Sequence, residues 1–293
     1  LPAGVTGTLM AGNGTTGATA PFSINTGSLT NNTNIFQTVT YLIRPKIAGC
    51  ADGPDQVVQV VVEPTPLSDL SANNFPVICN AGTPGIDIVS PTTPSIAANL
   101  TFDVTVTLPS GVTGTGVAGN GTGGLTAPFS INSGTLTNST NSFKTDTYTI
   151  TPKLNGCSSG PTRTVTVDVE PTPQVTFANN TPSICSDGTP DIALSSSTSP
   201  TIPGNLVFNV VPAFPAGITG TGLAISGVNG VTAPFSLNSG TLTHFNGNNI
   251  PLSVTYTITP RLIGCADGPA QIVNVTVRPD PIGQDDSSTE ICI

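Results

Sequence analysis

Reactive side chains are scarce in this chain. It has one His, one Met and no Trp, and only 7 Lys plus Arg against 16 Asp plus Glu, a net charge of −9. A single histidine, His244, cannot support a Ser-His-Asp triad that recurs along the sequence. Phosphate backbones need clustered cations, so the charge balance argues against nucleic acid as a partner. Aromatic residues make up 5% of the chain, too few for a carbohydrate platform of several exposed rings. No run of about 18 apolar residues exists, so no membrane-spanning helix is expected. No stretch carries a helical period. No signal-peptide pattern opens the chain, but residue 1 falls in the middle of a repeat.

What is abundant is Thr, Ser, Asn and Val, punctuated by 32 Gly and 28 Pro. That composition reads as all-β. The clearest stretch is TYTITPKLNGCSSGPTRTVTVDVEPTP, residues 147–173. Tyr148 and Ile150 share one face of a first strand, and Thr147, Thr149 and Thr151 the other. In a second strand Val165, Val167 and Val169 oppose Thr164, Thr166 and Asp168. Such alternation marks half-buried strands, here joined by a Gly/Ser/Pro turn. The same hairpin occurs at residues 40–66 and 255–281.

The repetition extends beyond the hairpin. Leu1 answers to Leu108, Tyr41 to Tyr148, Cys50 to Cys157 and Pro64 to Pro171, a period of about 107 residues. On this reading residues 1–66 are the back part of one module, 67–173 and 174–281 are complete modules, and 282–293 open another. Within 67–173 the expected strands are a broken one in PLSDLSANNFPVIC, then GIDIVS, NLTFDVTVTL, FSINSGTLTN and the closing hairpin. A Gly-rich meander, PSGVTGTGVAGNGTGGLTAP, lies in their midst. Short strands at this spacing predict Greek-key β-sandwiches of immunoglobulin type. The Pro-x-Pro connectors at 64–66, 171–173 and 279–281 should stay extended. Modules would then stack end to end in an extended array, each advancing it by roughly 35–45 Å.

The I-C-x-x-G-T-P stretch, FSINSGTLTNST and TYTITPKLNGC…GPTRTVTVDVEPTP together resemble the PKD-like, immunoglobulin-like repeats of very large bacterial surface adhesins. The resemblance covers the whole chain. Phe102 and Phe208 stand where related repeats carry Trp. The likeness implies type IX export, a place in gliding or adhesion fibres, and an extracellular, cell-surface location.

Six cysteines recur at two places: Cys79, Cys185 and Cys292 after Ile, and Cys50, Cys157 and Cys265 in the closing turn. Disulfides in an oxidising compartment are expected, since zinc would want short C-x₂₋₄-C pairs. Three connectivities are open. Pairing inside a module gives Cys79–Cys157 and Cys185–Cys265, and is preferred. An end-to-end staple, Cys79–Cys265, comes next. Sequence neighbours, such as Cys50–Cys79, are separated by a strand too long for a bridge unless the chain doubles back.

The remaining candidates have bland readings. His244 is expected to be a solvated residue of the loop HFNGNNIP (244–251), without a counterpart elsewhere. The acids of CADGPD (50–55), CSDGTPD (185–191) and CADGP (265–269) read as Asp-Gly turns, short of the oxygen ligands calcium wants. GVAGNGTGG (116–124) lacks the helix a phosphate loop needs. Asn13, Asn99, Asn120 and Asn138 begin glycosylation triplets and are expected at the surface. Tyr41, Tyr148 and Tyr256 read as core rings whose hydroxyls fix a corner. No metal, cofactor or catalytic site is expected. The expected role is a non-catalytic stalk or fibre segment. The alternatives are a loop-based ligand- or glycan-binding module and a subunit of a self-assembling filament. The expected partners are neighbouring modules, other copies of the chain or surface glycans.

Overall fold

The computed structural model describes residues 1–72, 77–245, 247 and 249–281. The chain divides into two compact units. One comprises Leu1–Pro76, Thr83–Leu136 and Thr145–Val167, the other Val77–Gly82, Thr137–Lys144 and Asp168–Ile293. The repeat and the units therefore do not coincide, because residues 67–173 contribute to both.

In the second unit, residues 174–281 build a two-sheet sandwich. One sheet runs in the order Thr176–Asn179, Ile192–Ser195, Phe235–Leu237. The other runs Ser183–Cys185, Gln271–Arg278, Leu252–Leu262, Leu206–Ala213, Val228–Thr232. Neighbours are antiparallel except Ser183–Cys185, which lies parallel to Thr276–Arg278. The chain passes from Ile192–Ser195 in one sheet to Leu206–Ala213 in the other, then back to Phe235–Leu237 and out again to Leu252–Leu262. That is the Greek-key path of an immunoglobulin-type sandwich.

Alternation puts the core where the sequence places it. Along Leu252–Leu262 the residues Val254, Tyr256, Ile258 and Leu262 are buried, while the threonines between them are not. Val273, Val275 and Val277 of the next strand join them, with Phe208, Val210, Ile192, Leu194 and Leu237 from the rest of the sandwich. Each such side chain contributes about 1.5–3 kcal/mol by leaving water. Together they hold the two sheets face to face.

The first unit uses the same parts. Leu100–Thr107 pairs antiparallel with the strand running to Leu154, and Ile86–Ile88 with Phe129–Ile131. Phe102, Tyr148, Ile150, Val165 and Val167 are buried there as their counterparts are in the second unit. In residues 1–66 the hairpin Gln37–Ile43 with Gln56–Val62 forms a sheet of its own. Its apolar face is open: Val58 is 44% exposed and Val60 40%, where Val165 and Val167 are 2% and 1%.

Two local expectations are corrected. FSINSGTLTN is not one strand but two, Phe129–Ile131 and Leu136–Asn138. Gly134 turns the chain between them with φ +88°, and a Cβ there would collide with the Thr115 carbonyl oxygen. Only glycine fits both conditions. The Gly-rich meander also holds a single helical turn, Gly116–Asn120, repeated as Leu9–Asn13 and Gly222–Ser226. Helical periodicity cannot reveal five residues.

Candidate functional site

The most elaborate arrangement of polar groups is the junction at each Pro-x-Pro. It is built twice from repeat-equivalent residues, once within each unit. In the first unit Glu63 accepts hydrogen bonds from the backbone N–H of Ser95, at 3.1 and 3.2 Å, and from its hydroxyl. In the second unit Glu170 accepts from the N–H of Thr201, at 3.1 and 3.3 Å, and from its hydroxyl. Each carboxylate thus reaches forward across the Pro-x-Pro connector to a residue that follows it. Hydrogen bonds to a charged acceptor are the stronger kind.

Further bonds surround each clamp. Leu67 N–H donates to Thr92 Oγ1 at 2.9 Å, and Gln174 N–H to Thr198 Oγ1 at 2.8 Å. Phe36 N–H donates to the Thr93 carbonyl at 2.9 Å, and Phe143 N–H to the Ser199 carbonyl at 3.0 Å. The return bonds run from Thr93 N–H to Asn34 and from Ser199 N–H to Asn141, both 2.7 Å. These make one-residue parallel bridges, Ile35 with Thr93 and Ser142 with Ser199. Asn31 donates through Nδ2 to the carbonyls of Ile35 and Val62, and Asn138 to those of Ser142 and Val169. The connector prolines Pro64, Pro66, Pro171 and Pro173 are buried. Proline has no N–H to leave unpaired, so it can fill a junction at little polar cost.

The third occurrence differs. Arg278 stands where Glu63 and Glu170 stand, and His244 where Asn31 and Asn138 stand. His244 is therefore not a solvated loop residue without counterpart. It ends the strand Leu242–His244, is buried, and its Nε2 lies 3.0 Å from the Ile250 carbonyl. The ring does the tethering that the Asn138 amide does one module earlier. Asn138 is corrected in the same way: it is 2% exposed, so it offers no surface for sugar, whereas Asn13 and Asn120 are exposed.

Cys79 and Cys265 form a disulfide with Cα atoms 5.5 Å apart, within the second unit. Pairing inside a module, Cys79–Cys157 with Cys185–Cys265, is thus not what the structure has, nor is Cys50–Cys79. The physical reason lies in the junction. Cys79 follows Val77–Ile78, which lies parallel to Asp168–Val169 at the end of its module. The turn carrying Cys265 is seated on the connector, where a Cβ on Gly268 would meet the Pro173 carbonyl oxygen. The two cysteines are brought to the junction from its two sides. Cys50, Cys157 and Cys185 are free and exposed, and Cys292 lies outside the described residues.

The tyrosines close corners as expected. Tyr148 and Tyr256 are fully buried and donate to the Ala118 and Ala224 carbonyls at 2.6 and 2.7 Å, and Tyr41 to Ala11 at 2.6 Å. Burial pushes the phenols of Tyr148 and Tyr256 well above the ordinary range, and the Asp146 carboxylate adds to this at Tyr148. The acids of two closing turns are held in exposed ion pairs, whereas Asp187 and Asp191 accept hydrogen bonds from Thr243 and Asn180. Arg44 grips Asp55 at 2.6 and 2.8 Å, Lys46 lies 3.2 Å from Asp52, and Arg261 lies 2.7 Å from Asp267. Hydrogen bonding to Arg44 lowers the Asp55 carboxyl below the usual range. Among the described residues no group of three or more His, Cys, Asp and Glu side chains could hold a metal, and no helix is long and apolar enough to cross a membrane.

No protein-family model matches the chain, and no curated protein does. Solved structures are similar at low identity. The Escherichia coli adhesin FdeC is 16% identical over 81% of this chain and 74% of that one, with a TM-score of 0.37. The Yersinia pseudotuberculosis adhesin InvE is 15% identical over 72% and 58%, at 0.28. The FN1–FN3 domains of chicken CNTN1 are 12% identical over 82% and 77%, at 0.24. At scores under 0.5 these likenesses stop at similarity, and the immunoglobulin-type assignment stands on the chain's own strand order.

Proposed function

We propose that this chain is a non-catalytic structural segment of an extracellular bacterial surface adhesin or fibre. The observation that carries the reading is the junction built twice from equivalent residues. A chain that only needed modules tethered could join them with a flexible linker. Here a carboxylate, a proline pair and several backbone bonds fix the connection each time, and a disulfide covers the second. That construction suits a chain of modules that carries tension, 67–173 and 174–281 among them. The disulfide supports an oxidising, extracellular setting. PKD-like membership, type IX export and a role in gliding or adhesion fibres remain the finer part of the same proposal.

The test is small-angle scattering of the reduced chain, with and without Glu63→Ala and Glu170→Ala together. The expected result is a defined intraparticle distance distribution for the parent chain and a broadened one for the double variant. Unchanged scattering would refute the stiff junction.

A further inference from the structure

We propose that Cys157 and Cys185 are the two halves of the same staple that Cys79 and Cys265 complete. Each early cysteine bonds the closing-turn cysteine of the module of this repeat that directly follows. Cys185 is then the acceptor for a module placed after Pro281, and Cys157 for the early cysteine of a module lying before its own.

The local geometry of each half is repeated where no bond is present. Cys79 sits at the end of a short strand parallel to Asp168–Val169, and Gly82 N–H bonds its carbonyl at 2.9 Å. Cys185 ends a strand parallel to Thr276–Arg278, and Gly188 N–H bonds its carbonyl at 3.0 Å. In the closing turn Cys265 N–H bonds the Leu262 carbonyl and Gly268 N–H that of Pro260, both 2.9 Å. Cys157 N–H bonds Leu154 and Gly160 N–H bonds Pro152, also at 2.9 Å. The turn at Cys157 is seated on its connector as well: a Cβ on Gly160 would meet the Pro66 carbonyl oxygen, as one on Gly268 would meet that of Pro173. Cys157 therefore has the position relative to Pro66 that Cys265 has relative to Pro173. The junction around Pro66 carries the same Glu, Asn and backbone bonds as the one that holds the staple. A disulfide needs Cα atoms within about 7 Å, and the repeated junction sets that distance. Cys50, whose N–H bonds Ile47 at 3.0 Å, belongs to the class of Cys157.

Each staple forms as two thiols lose two protons and two electrons to a disulfide oxidant, which leaves as two thiols. Every staple spans one junction, so an array of n such modules is covalently locked at every junction, independently of the surface it serves.

The test inserts a second copy of residues 67–173 between Pro173 and Gln174 of the full chain, refolds it with oxidised glutathione, and maps disulfides without reduction. The expected result is a new peptide joining Cys79 to Cys157, alongside the Cys79–Cys265 peptide. Cys79→Ser in the first copy alone should abolish the new peptide and leave the other. Persistence of Cys79–Cys157 in that variant would mean pairing inside a module and would overturn the proposal. So would a chain in which Cys79–Cys265 forms and Cys157 of both copies stays alkylatable. A second chain decides the matter if the first does not fold. It carries an inserted copy of residues 174–281, with Arg278→Glu in that copy to restore the clamp. A Cys185–Cys265 peptide that is lost on Cys185→Ser in the copy alone supports the proposal; one that persists in that variant, or an alkylated Cys185 in both copies, overturns it.

Discussion

Replacing Tyr41 by Phe leaves Tyr148 and Tyr256 as the chain's only phenols, which turns ultraviolet absorbance into a report on two buried corners. Both rings are fully buried, and each hydroxyl donates to a carbonyl that lies in a single helical turn. The neutral phenol is the form the folded chain holds, so its folded pKa lies above the unfolded value of about 10. A group shifted in that direction contributes its full stability below about pH 10 and loses it as the pH climbs toward the folded value. Phenolate absorbance should therefore stay absent through pH 10 and rise only together with loss of the circular dichroism of the sheets. Removing the hydroxyl of Tyr256 with Tyr256→Phe keeps the ring and strands the Ala224 carbonyl. A buried acceptor without its partner costs about 1–2 kcal/mol. For a domain of this size that lowers the melting temperature by roughly 5–10 °C. The reasoning fails if phenolate appears with a midpoint near pH 10 while the fold persists, or if Tyr256→Phe melts with the parent.

Three further outcomes are expected. Gly240→Ala should destabilise its sandwich by about 2 kcal/mol or more in urea unfolding, because φ is +87° and a Cβ would collide with the Thr221 carbonyl oxygen; a neutral variant would contradict the turn geometry. Glu170→Ala leaves the Thr201 N–H and hydroxyl without their carboxylate, costing about 1–3 kcal/mol, and should raise the exchange rate of the Thr201 amide, whereas unchanged protection would place the clamp outside the energetics of the junction. The Asp103 carboxyl is held below the usual range by Lys153 and by the Gly124 N–H. Its contribution is present above about pH 4 and is lost as the pH falls through the depressed value, so Asp103→Asn should flatten the acid limb of the stability curve, and an identical acid limb would refute the pair.

What the sequence shows and hides follows from where each partner lies. Alternation reports which face of a strand is buried within its own module, so Tyr148, Ile150 and the valines of the closing hairpin are legible without coordinates, as is Phe102 in the central strand. Periodicity has nothing to say about five-residue helical turns, or about the glycine that splits FSINSGTLTN in two. The junction is hidden for a different reason. Glu63 and Glu170 precede proline and look like ordinary surface acids, and their partners Ser95 and Thr201 lie about thirty residues onward in another module. The one available signal was comparative. Glu recurs before Pro-Thr-Pro and gives way to Arg278 before Pro-Asp-Pro, while Asn31 and Asn138 give way to His244. Side chains that vary together at one end of a repeat point to a shared contact there. The match of His244 to Asn138 is in the sequence itself, FSLNSGTLTH against FSINSGTLTN, but only the strand Leu242–His244 shows that the ring is buried ahead of the loop and not solvated in it.

The cysteines show the same limit more sharply. Distance along the chain favours partners within a module, since 78 residues of one sandwich separate Cys79 from Cys157 and 186 separate Cys79 from Cys265. Loop-closure entropy grows only with the logarithm of that length, so the longer loop costs the chain little extra. What decides the pairing is whether two Cα atoms come within bridging distance, and those of Cys79 and Cys265 lie 5.5 Å apart. Once the clamp, the seated turn and the parallel strand end are fixed at a connector, the staple is a consequence of the junction, and the junction is built from residues that recur with the repeat.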